Sequence, residues 1–451
     1  MEMTTQAKPA YKAYALNTFR NIPQMERLTE TERFDIEVVG NVLPFKVNNY
    51  VIDELIDWDH YQGDPLFNLV FPNRHMLRPE HFAEMERTLK ETGDRNVIRE
   101  VAHKIRLQLN PHPAGQVELN VPEIEGVKLT GIQHKYRETL LFFPSSGQTC
   151  HSYCTFCFRW PQFVGMNEIK FAMRETELLV KYLQEHQEVT DILFTGGDPM
   201  IMKYEVFRQY IEPFLDKNNG TNIQSIRIGT KSLAFWPYKF IDDEEADKFL
   251  ALFERVTKSG INLAFMSHFN HPNEMKTAAV QKAIRRLRNT GLQIRTQSPL
   301  LHNINDDANA WAEMWREQVN QNCIPYYMFV ARDTGARHYF EVPLVRAWEI
   351  FREAYQQVSG LCRTVRGPSM SATPGKVQVL GVSEVAGKKV LALRFLQGRN
   401  PDWVGRPFFA EYDEKATWLD ELKPAFEDKF FYEEELEQMY QEKVSSVLSD
   451  N

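Results

Sequence analysis

The 451-residue sequence holds only five cysteines, shows no excess of positive charge, and contains no apolar run approaching the ~20 residues that cross a bilayer. Each shortage excludes something. Five cysteines do not make a disulfide framework. Lys and Arg total 53 against 61 Asp and Glu, a net charge of −8, so the basic field of a general nucleic-acid binder is missing. Neither a nucleic-acid partner nor a membrane partner is expected. The first twenty residues lack an apolar core and a small-residue cleavage site, so a secretory signal is not expected. Glu2 is the one acid among them, which leaves an organellar presequence open. Repeats beyond strand–helix alternation and low-complexity tracts are also missing. The remainder is ordinary: 43% hydrophobic and 25% charged residues suit a globular protein. At roughly 100–200 residues per domain, the length allows several domains or one large α/β domain with extensions.

The distribution of the cysteines matters more than their number. Cys150, Cys154 and Cys157 crowd one short segment, while Cys323 and Cys362 stand alone and read as ordinary buried thiols. Three close thiols without disulfide partners point to a reducing, cytoplasmic setting and a metal site.

From residue 140 onward, short apolar runs alternate with amphipathic segments. Strands are expected at 140–143, 191–195, 225–229, 261–268, 292–298 and 324–331. Helices are expected at 174–186, 206–215, 242–259, 274–290, 308–320 and 343–358, the last with Pro343 in its first turn. Strand runs bounded by Gly, Pro or polar turns and alternating with helices indicate a parallel sheet of βαβ units. The expected fold class is α/β, a partial (β/α)6 TIM-like barrel spanning 136–360. No GxGxxG follows the first strand, which weakens a dinucleotide-binding reading. Residues 1–135 read as a helical N-terminal region, with helices near 82–91 and 97–108 and a linker near 110–135. Residues 361–451 form a C-terminal extension, strand-like at 377–382 and 389–394. The acidic run 433–437 reads as a solvated helix face.

Cys150, Cys154 and Cys157 form C-x3-C-x2-C directly after the first barrel strand. Three thiolates on a short loop can hold three irons of a [4Fe–4S] cube and leave the fourth open to a small molecule with amino and carboxylate groups. The alternative is zinc held by the three cysteines and His151 or His134, although the distant second cysteine pair usual for zinc is lacking. Thr195-Gly196-Gly197-Asp198-Pro199 ends the second strand; glycines there let backbone approach a ligand, or simply make a turn. Ser267-His268-Phe269-Asn270-His271-Pro272 ends the fourth strand, where two histidines and an amide suit ligand contact, the alternative being that one of the two histidines is structural.

The cysteine spacing at the end of a first barrel strand resembles the radical S-adenosylmethionine (SAM) superfamily. The order of HKY (134–136), GGDP (196–199), RIGT (227–230), HFNHP (268–272), QSPLL (297–301), IND (304–306) and PYYMF (325–329) resembles the lysine 2,3-aminomutase family within it, from about residue 40 to about 385. The resemblance implies a [4Fe–4S] cluster on Cys150, Cys154 and Cys157, and SAM bound near Gly196, Gly197, Asp198, His268 and Gln297. It also implies pyridoxal phosphate (PLP) on Lys376 of the Thr373-Pro374-Gly375-Lys376 turn, with Tyr136 and Arg137, beside Lys135, contacting it. A lysine is required there because a primary amine forms an imine that a substrate amine can exchange with. Arg159 matches an arginine that holds the substrate α-carboxylate. Asp306 matches the first of two aspartates that hold a distal ammonium, and Ser369 replaces the second, so L-lysine is a doubtful substrate. The implied activity is a 2,3-aminomutase shifting the α-amino group of a free amino acid to its β-carbon. The implied partners are a reductant such as flavodoxin or ferredoxin and a second copy of the chain. An alternative within the family is a radical epimerase, desaturase or other modification, with or without PLP. No cysteine follows Cys362, so the zinc-binding tail of some members is not expected.

Overall fold

The computed structural model describes residues 10–113, 116–166 and 170–449. Residues 1–9, on which part of the leader reading falls, lie outside the described residues. Two small antiparallel pairs, β1 (Ala13–Ala15) with β2 (Lys46–Asn48) and β3 (Glu123–Ile124) with β4 (Val127–Lys128), stand apart from the main sheet.

The main sheet has eleven strands in sequential order: β5 (Ile132–Tyr136), β6 (Thr139–Phe142), β7 (Asp191–Phe194), β8 (Ser225–Thr230), β9 (Asn262–His268), β10 (Gln293–Leu300), β11 (Ile324–Val330), β12 (Arg366–Ser371), β13 (Gly375–Val385), β14 (Lys388–Gly398) and β15 (Pro407–Glu411). Strands β6 to β12 pair in parallel. Antiparallel β5 flanks β6, and β13 to β15 continue antiparallel from β12. Helices Thr176–Glu185, Tyr204–Ile211, Ala246–Lys258, Ala278–Asn289, Ala308–Asn320 and Leu344–Gln356 make the crossovers between β6 and β12. Because the order never reverses, crossovers of one hand all lie on one face of the sheet. The pleat then separates two sets of side chains. Ile192, Phe194, Ile226, Ile228, Phe265, Ile294 and Met328 are buried and belong to the main apolar cluster. Their neighbours Leu193, Arg227, Met266, Gln297, Tyr327 and Phe329 line a cavity.

The expected helices and strands occur within a few residues of their expected bounds. The second crossover helix stops at Ile211 and tightens into a 3-10 turn, Glu212–Leu215, because Pro213 has no N–H to continue it. The fourth begins only at Ala278, where the Thr277 hydroxyl accepts from Val280 N–H. The span 110–135 is not a linker. It holds a short helix, Gln116–Asn120, the β3–β4 pair and most of β5, which forms one edge of the sheet. The division drawn at 135/136 falls inside β5, and the one at 360/361 precedes β12, which continues the parallel sheet.

Helices Glu30–Val42, Pro79–Glu91 and Arg95–Leu107 pack Val38, Val39, Met85 and Ile105 into the same apolar cluster as the sheet. The first is capped by Thr29 and Glu32 in a reciprocal box. The C-terminal residues form a second cluster, rich in aromatics, around Phe395, Trp403, Phe408, Trp418 and Tyr432. Glu435 is not merely solvated: it accepts from Asn400 Nδ2 and Trp403 Nε1. No helix among the described residues is long and apolar enough to cross a membrane.

Candidate active site

A cavity of about 340 Å³ opens on the inner face of the sheet, within the size range of small-molecule sites. Its wall includes Cys150, Cys154, Cys157, Arg159, Gly196, Gly197, Asp198, His268, Gln297, Tyr136 and Lys376. Residues far apart in the chain meet there because β6, β7, β8 and β9 all end at the same rim.

The cysteine loop follows β6 and is pinned by the N-terminal region. Lys46 Nζ donates to the Cys150 carbonyl (2.7 Å), and Tyr153 N–H donates to the Lys46 carbonyl (2.8 Å). Asn48 N–H donates to Ser152 Oγ (3.0 Å), Tyr11 Oη to the His151 carbonyl (2.8 Å), and Thr155 N–H to the Leu69 carbonyl (3.0 Å). The thiols are half-buried. Burial pushes all three upward, Cys157 to about 11, and mutual repulsion adds to this for Cys150 and Cys154. Thiolates at this spot therefore call for compensating metal charge. Among the described residues, no three His, Cys, Asp or Glu side chains gather closely enough for a single ion. Both histidines of the zinc alternative are engaged elsewhere. His151 Nδ1 meets Ser232 Oγ (3.0 Å), and burial lowers it to about 3. His134 lies between Tyr182 Oη (2.7 Å) and the Arg137 carbonyl (3.2 Å). A cube asks less of its ligands, since each thiolate binds its own iron, and the donor set fits one.

The glycine turn after β7 touches the cysteine loop backbone to backbone. A Cβ on Gly197 would lie 2.4 Å from the Thr149 carbonyl oxygen. Gly196 has φ +132°, a conformation that L residues rarely adopt. Asp198 N–H donates to that same Thr149 oxygen (2.7 Å). The Asp198 carboxylate accepts from Met200 N–H, Thr230 Oγ1, Lys231 N–H and Ser232 Oγ, at 2.7 to 3.0 Å. Both of its oxygens are occupied, so it fixes the ends of β7 and β8. At the next rim positions, Gln297 Nε2 lies 2.6 Å from His268 Nε2, and burial holds that histidine near 3 and therefore neutral. His271 lies outside the lining and caps the turn Pro272–Met275.

Lys376 is the second residue of β13, with its Nζ 4.3 Å from the Tyr327 ring centroid. Its remaining exposure faces the cavity. Burial, then Arg227 and Arg366, lower its amine to about 7, leaving it largely neutral and nucleophilic above that pH. Lys135 lies nearby and donates to the Ala372 carbonyl (2.5 Å); Arg399 donates to the Thr373 carbonyl (2.9 Å). Arg159 is 7% exposed, rests on the rings of Phe143 (4.3 Å) and Phe158 (5.0 Å), and makes no ion pair among the described residues. Burial lowers it to about 9.

Two expected residues are elsewhere. Arg137 is exposed at the turn after β5, and Lys135, two positions earlier, occupies the cavity wall instead. Asp306 pairs with His302 Nδ1 (2.5 Å) outside the lining; the cap of helix Ala308–Asn320 is Asp307. Ser369 is fully buried behind the wall, its Oγ 3.4 Å from the Met328 carbonyl. Lys231, Arg332 and Gln397 also line the cavity and carried no motif of their own. The available signal was position, since Lys231 follows β8 directly and Arg332 lies two residues past the end of β11.

No family model matches the chain. A protein of Aquifex aeolicus (strain VF5), whose name assigns it provisionally to L-lysine 2,3-aminomutase, is 28% identical over 398 residues, 88% of this chain and 92% of that protein. L-lysine 2,3-aminomutase of Haemophilus influenzae is 25% identical over 245 residues, 54% of this chain and 68% of the relative. Glutamate 2,3-aminomutase of Clostridioides difficile (strain 630) is 25% identical over 256 residues, 56% of this chain and 54% of the relative. Among solved structures, a radical SAM methyltransferase from Sphaerobacter thermophilus matches at 15% identity and a TM-score of 0.35, over 52% of this chain and 68% of that one.

Proposed function

We propose that the chain is a radical SAM protein of the lysine 2,3-aminomutase-like family and, from that premise, that it is a PLP-dependent 2,3-aminomutase acting on a free amino acid. One observation carries this reading: three cysteine thiols, the Gly196-Gly197 turn, an uncompensated arginine and a lysine lowered to about 7 face a single cavity. We read the sheet as an open (β/α) barrel whose strand ends hold that site. When bound, the cluster with SAM supplies hydrogen-abstracting radical chemistry, and PLP supplies a conjugated ring that delocalises the unpaired electron.

The chain's own residues do the rest. The three thiols would hold the cluster, and Gly196 and Gly197 let backbone come close beside them. His268 and Gln297 line the adjacent wall. Lys376 would offer its neutral amine to PLP, with Lys135 and Tyr136 on the same cavity wall. Arg159 orients the amino acid through its α-carboxylate, a planar fork meeting a planar anion. Tyr327 and Phe329 wall the lysine in and keep out water that would quench a reactive carbon centre. The reductant is a small electron carrier such as flavodoxin or ferredoxin.

Anaerobic reconstitution followed by SAM, PLP, dithionite and a pooled set of amino acids tests the reading. The expected result is a brown protein with ~4 irons per chain, 5′-deoxyadenosine release, and β-amino isomers seen by mass spectrometry. Addition of PLP should give imine absorbance that disappears in Lys376→Ala. 5′-Deoxyadenosine without any β-isomer would point to a different radical outcome. A colourless zinc protein would end the proposal.

A further inference from the structure

Three cations stand close to the cysteine loop, and they differ in what else they meet. Arg159, two residues after Cys157, lies on the cavity wall against the rings of Phe143 and Phe158. Lys231 lines the same wall but pairs with buried Glu274 (2.6 Å), so its charge is offset. Lys46 is the third. It belongs to β2, makes no ion pair among the described residues, and is not part of the cavity lining. Its Nζ donates to the Cys150 carbonyl (2.7 Å) and lies 3.4 Å from Thr149 Oγ1. The ammonium therefore stands beside a cluster ligand, yet outside the space open to small molecules.

Lys46 is held there from several sides. Its carbonyl accepts from Tyr153 N–H (2.8 Å), so its backbone and its side chain grip the same loop. Its ammonium lies 5.6 Å from the Tyr153 ring centroid, and that ring stacks on Phe163 at 4.5 Å. Tyr153 Oη in turn bonds Thr149 Oγ1 (3.0 Å). Other groups already tie the loop down: Asn48 N–H on Ser152 Oγ, Tyr11 Oη on the His151 carbonyl, and Thr155 N–H on the Leu69 carbonyl. What the Lys46 side chain adds, and they do not, is a positive charge.

We propose that Lys46 acts through Cys150 to raise the reduction potential of the cluster; this rests on the radical SAM reading above. It positions a charge rather than a substrate. The electron delivered by a low-potential carrier adds one negative charge to a centre already ligated by three thiolates, and no bond forms or breaks in that step. A nearby cation stabilises the more negative, reduced state. Lys46 is half-buried, so salt screens it less than it screens a surface lysine.

The test is an anaerobic potentiometric titration of the holoenzyme, with dithionite as reductant and the electron paramagnetic resonance signal of the reduced cluster as readout. Wild type is compared with Lys46→Arg, Lys46→Gln and Lys46→Met. Arginine keeps the charge and the donors, glutamine keeps a donor without the charge, and methionine keeps neither. At the wild-type midpoint, the ratio of reduced to oxidised cluster should fall about tenfold in Lys46→Gln and Lys46→Met, a downward shift of ~59 mV for one electron. It should change less than twofold in Lys46→Arg. The signal is normalised to the clusters present, so a variant that loads less iron still reports its potential. The inference is overturned if Lys46→Gln and Lys46→Met keep the wild-type midpoint, or if Lys46→Arg falls with them. Lower iron content or melting temperature at an unchanged midpoint would likewise overturn it and leave Lys46 a purely structural tie. A wild-type protein that forms no cluster would overturn the radical SAM reading and this inference together. The expected shift, with no β-isomer formed from any amino acid, would leave this inference standing and defeat only the aminomutase assignment.

Discussion

Gly197→Ala tests whether the turn after β7 positions the cysteine loop. The added Cβ would lie 2.4 Å from the Thr149 oxygen, 2.5 Å from its nitrogen and 2.7 Å from its carbonyl carbon, where ordinary contact starts at 3.4 Å. The three atoms are backbone, so no side chain can swing aside, and the loop must move by about 1 Å. That loop is also tied down by Asp198 N–H to the Thr149 oxygen (2.7 Å) and Gly197 N–H to the Gly147 oxygen (3.2 Å). Overpacking of this kind costs about 1–3 kcal/mol, and a broken hydrogen bond adds about 1 kcal/mol. The residue after Thr149 is Cys150, so the displacement passes directly to a cluster ligand. A misplacement of about 1 Å at a reacting centre lowers rate by about 100-fold. Wild type, Gly197→Ala and Gly360→Ala are to be reconstituted anaerobically and compared in melting temperature, iron per chain and rate of 5′-deoxyadenosine formation. Gly360 is exposed and has nothing within 4 Å of its Cβ position, so its variant should match wild type. Gly197→Ala should melt lower, hold less iron and turn over about 100-fold more slowly. If it equals wild type in all three, close backbone contact is not what places the loop.

Lys376 sits near 7 against 10.5 in the unfolded chain, so between those values the unfolded state binds the extra proton and stability rises with pH. Lys376→Met should flatten that rise, add about 1–2 kcal/mol at pH 7, and abolish imine absorbance with PLP; denaturant melts at pH 7 and pH 10 showing no such difference would contradict the assignment. Ser232→Ala removes the hydroxyl shared by His151 Nδ1 and Asp198 Oδ2 in a fully buried position, and should cost about 1–3 kcal/mol in a urea melt. Asp306→Asn should leave amino-acid selectivity within twofold of wild type, because Asp306 pairs with His302 outside the cavity; a tenfold change in relative rates would return it to the substrate pocket.

The parallel strands were legible because part of their cavity-facing set is apolar as well. DILF and NLAFMSH put Leu193 and Met266 on the cavity side of the sheet and Ile192, Phe194 and Phe265 in the core, so most of each run reads as apolar. The edge strand β5 was not. Its sequence, IQHKY, directs Gln133 and Lys135 at the cavity, so a rule that looks for apolar residues sees a polar linker. The same cause hid the seventh parallel strand, β12, whose RGPSMS has little apolar character although four of its residues are buried. Polar strands that line a ligand cavity are the ones that hydrophobic patterning cannot find.

The site divides along similar lines. Chemistry written in consecutive residues was readable: the cysteine loop, the Gly196-Gly197 turn and the Pro374-Gly375-Lys376 turn all reach the cavity or its wall. Chemistry that depends on what a charge meets was not. Arg227 and Arg332 both line the cavity, one on β8 and the other just past β11, yet the first donates to both oxygens of Asp191 on the adjacent strand, while the second meets its neighbour Asp333 only at 3.6 Å and ends between two rings with donors unmade. The order of residues does not show this difference, because Asp191 lies well upstream of Arg227 and Trp418 well downstream of Arg332. Which donors stay open is thus a property of the assembled wall: the Arg332 guanidinium keeps two because the rings of Phe158 and Trp418, which accept no such bond in the plane of the fork, flank it.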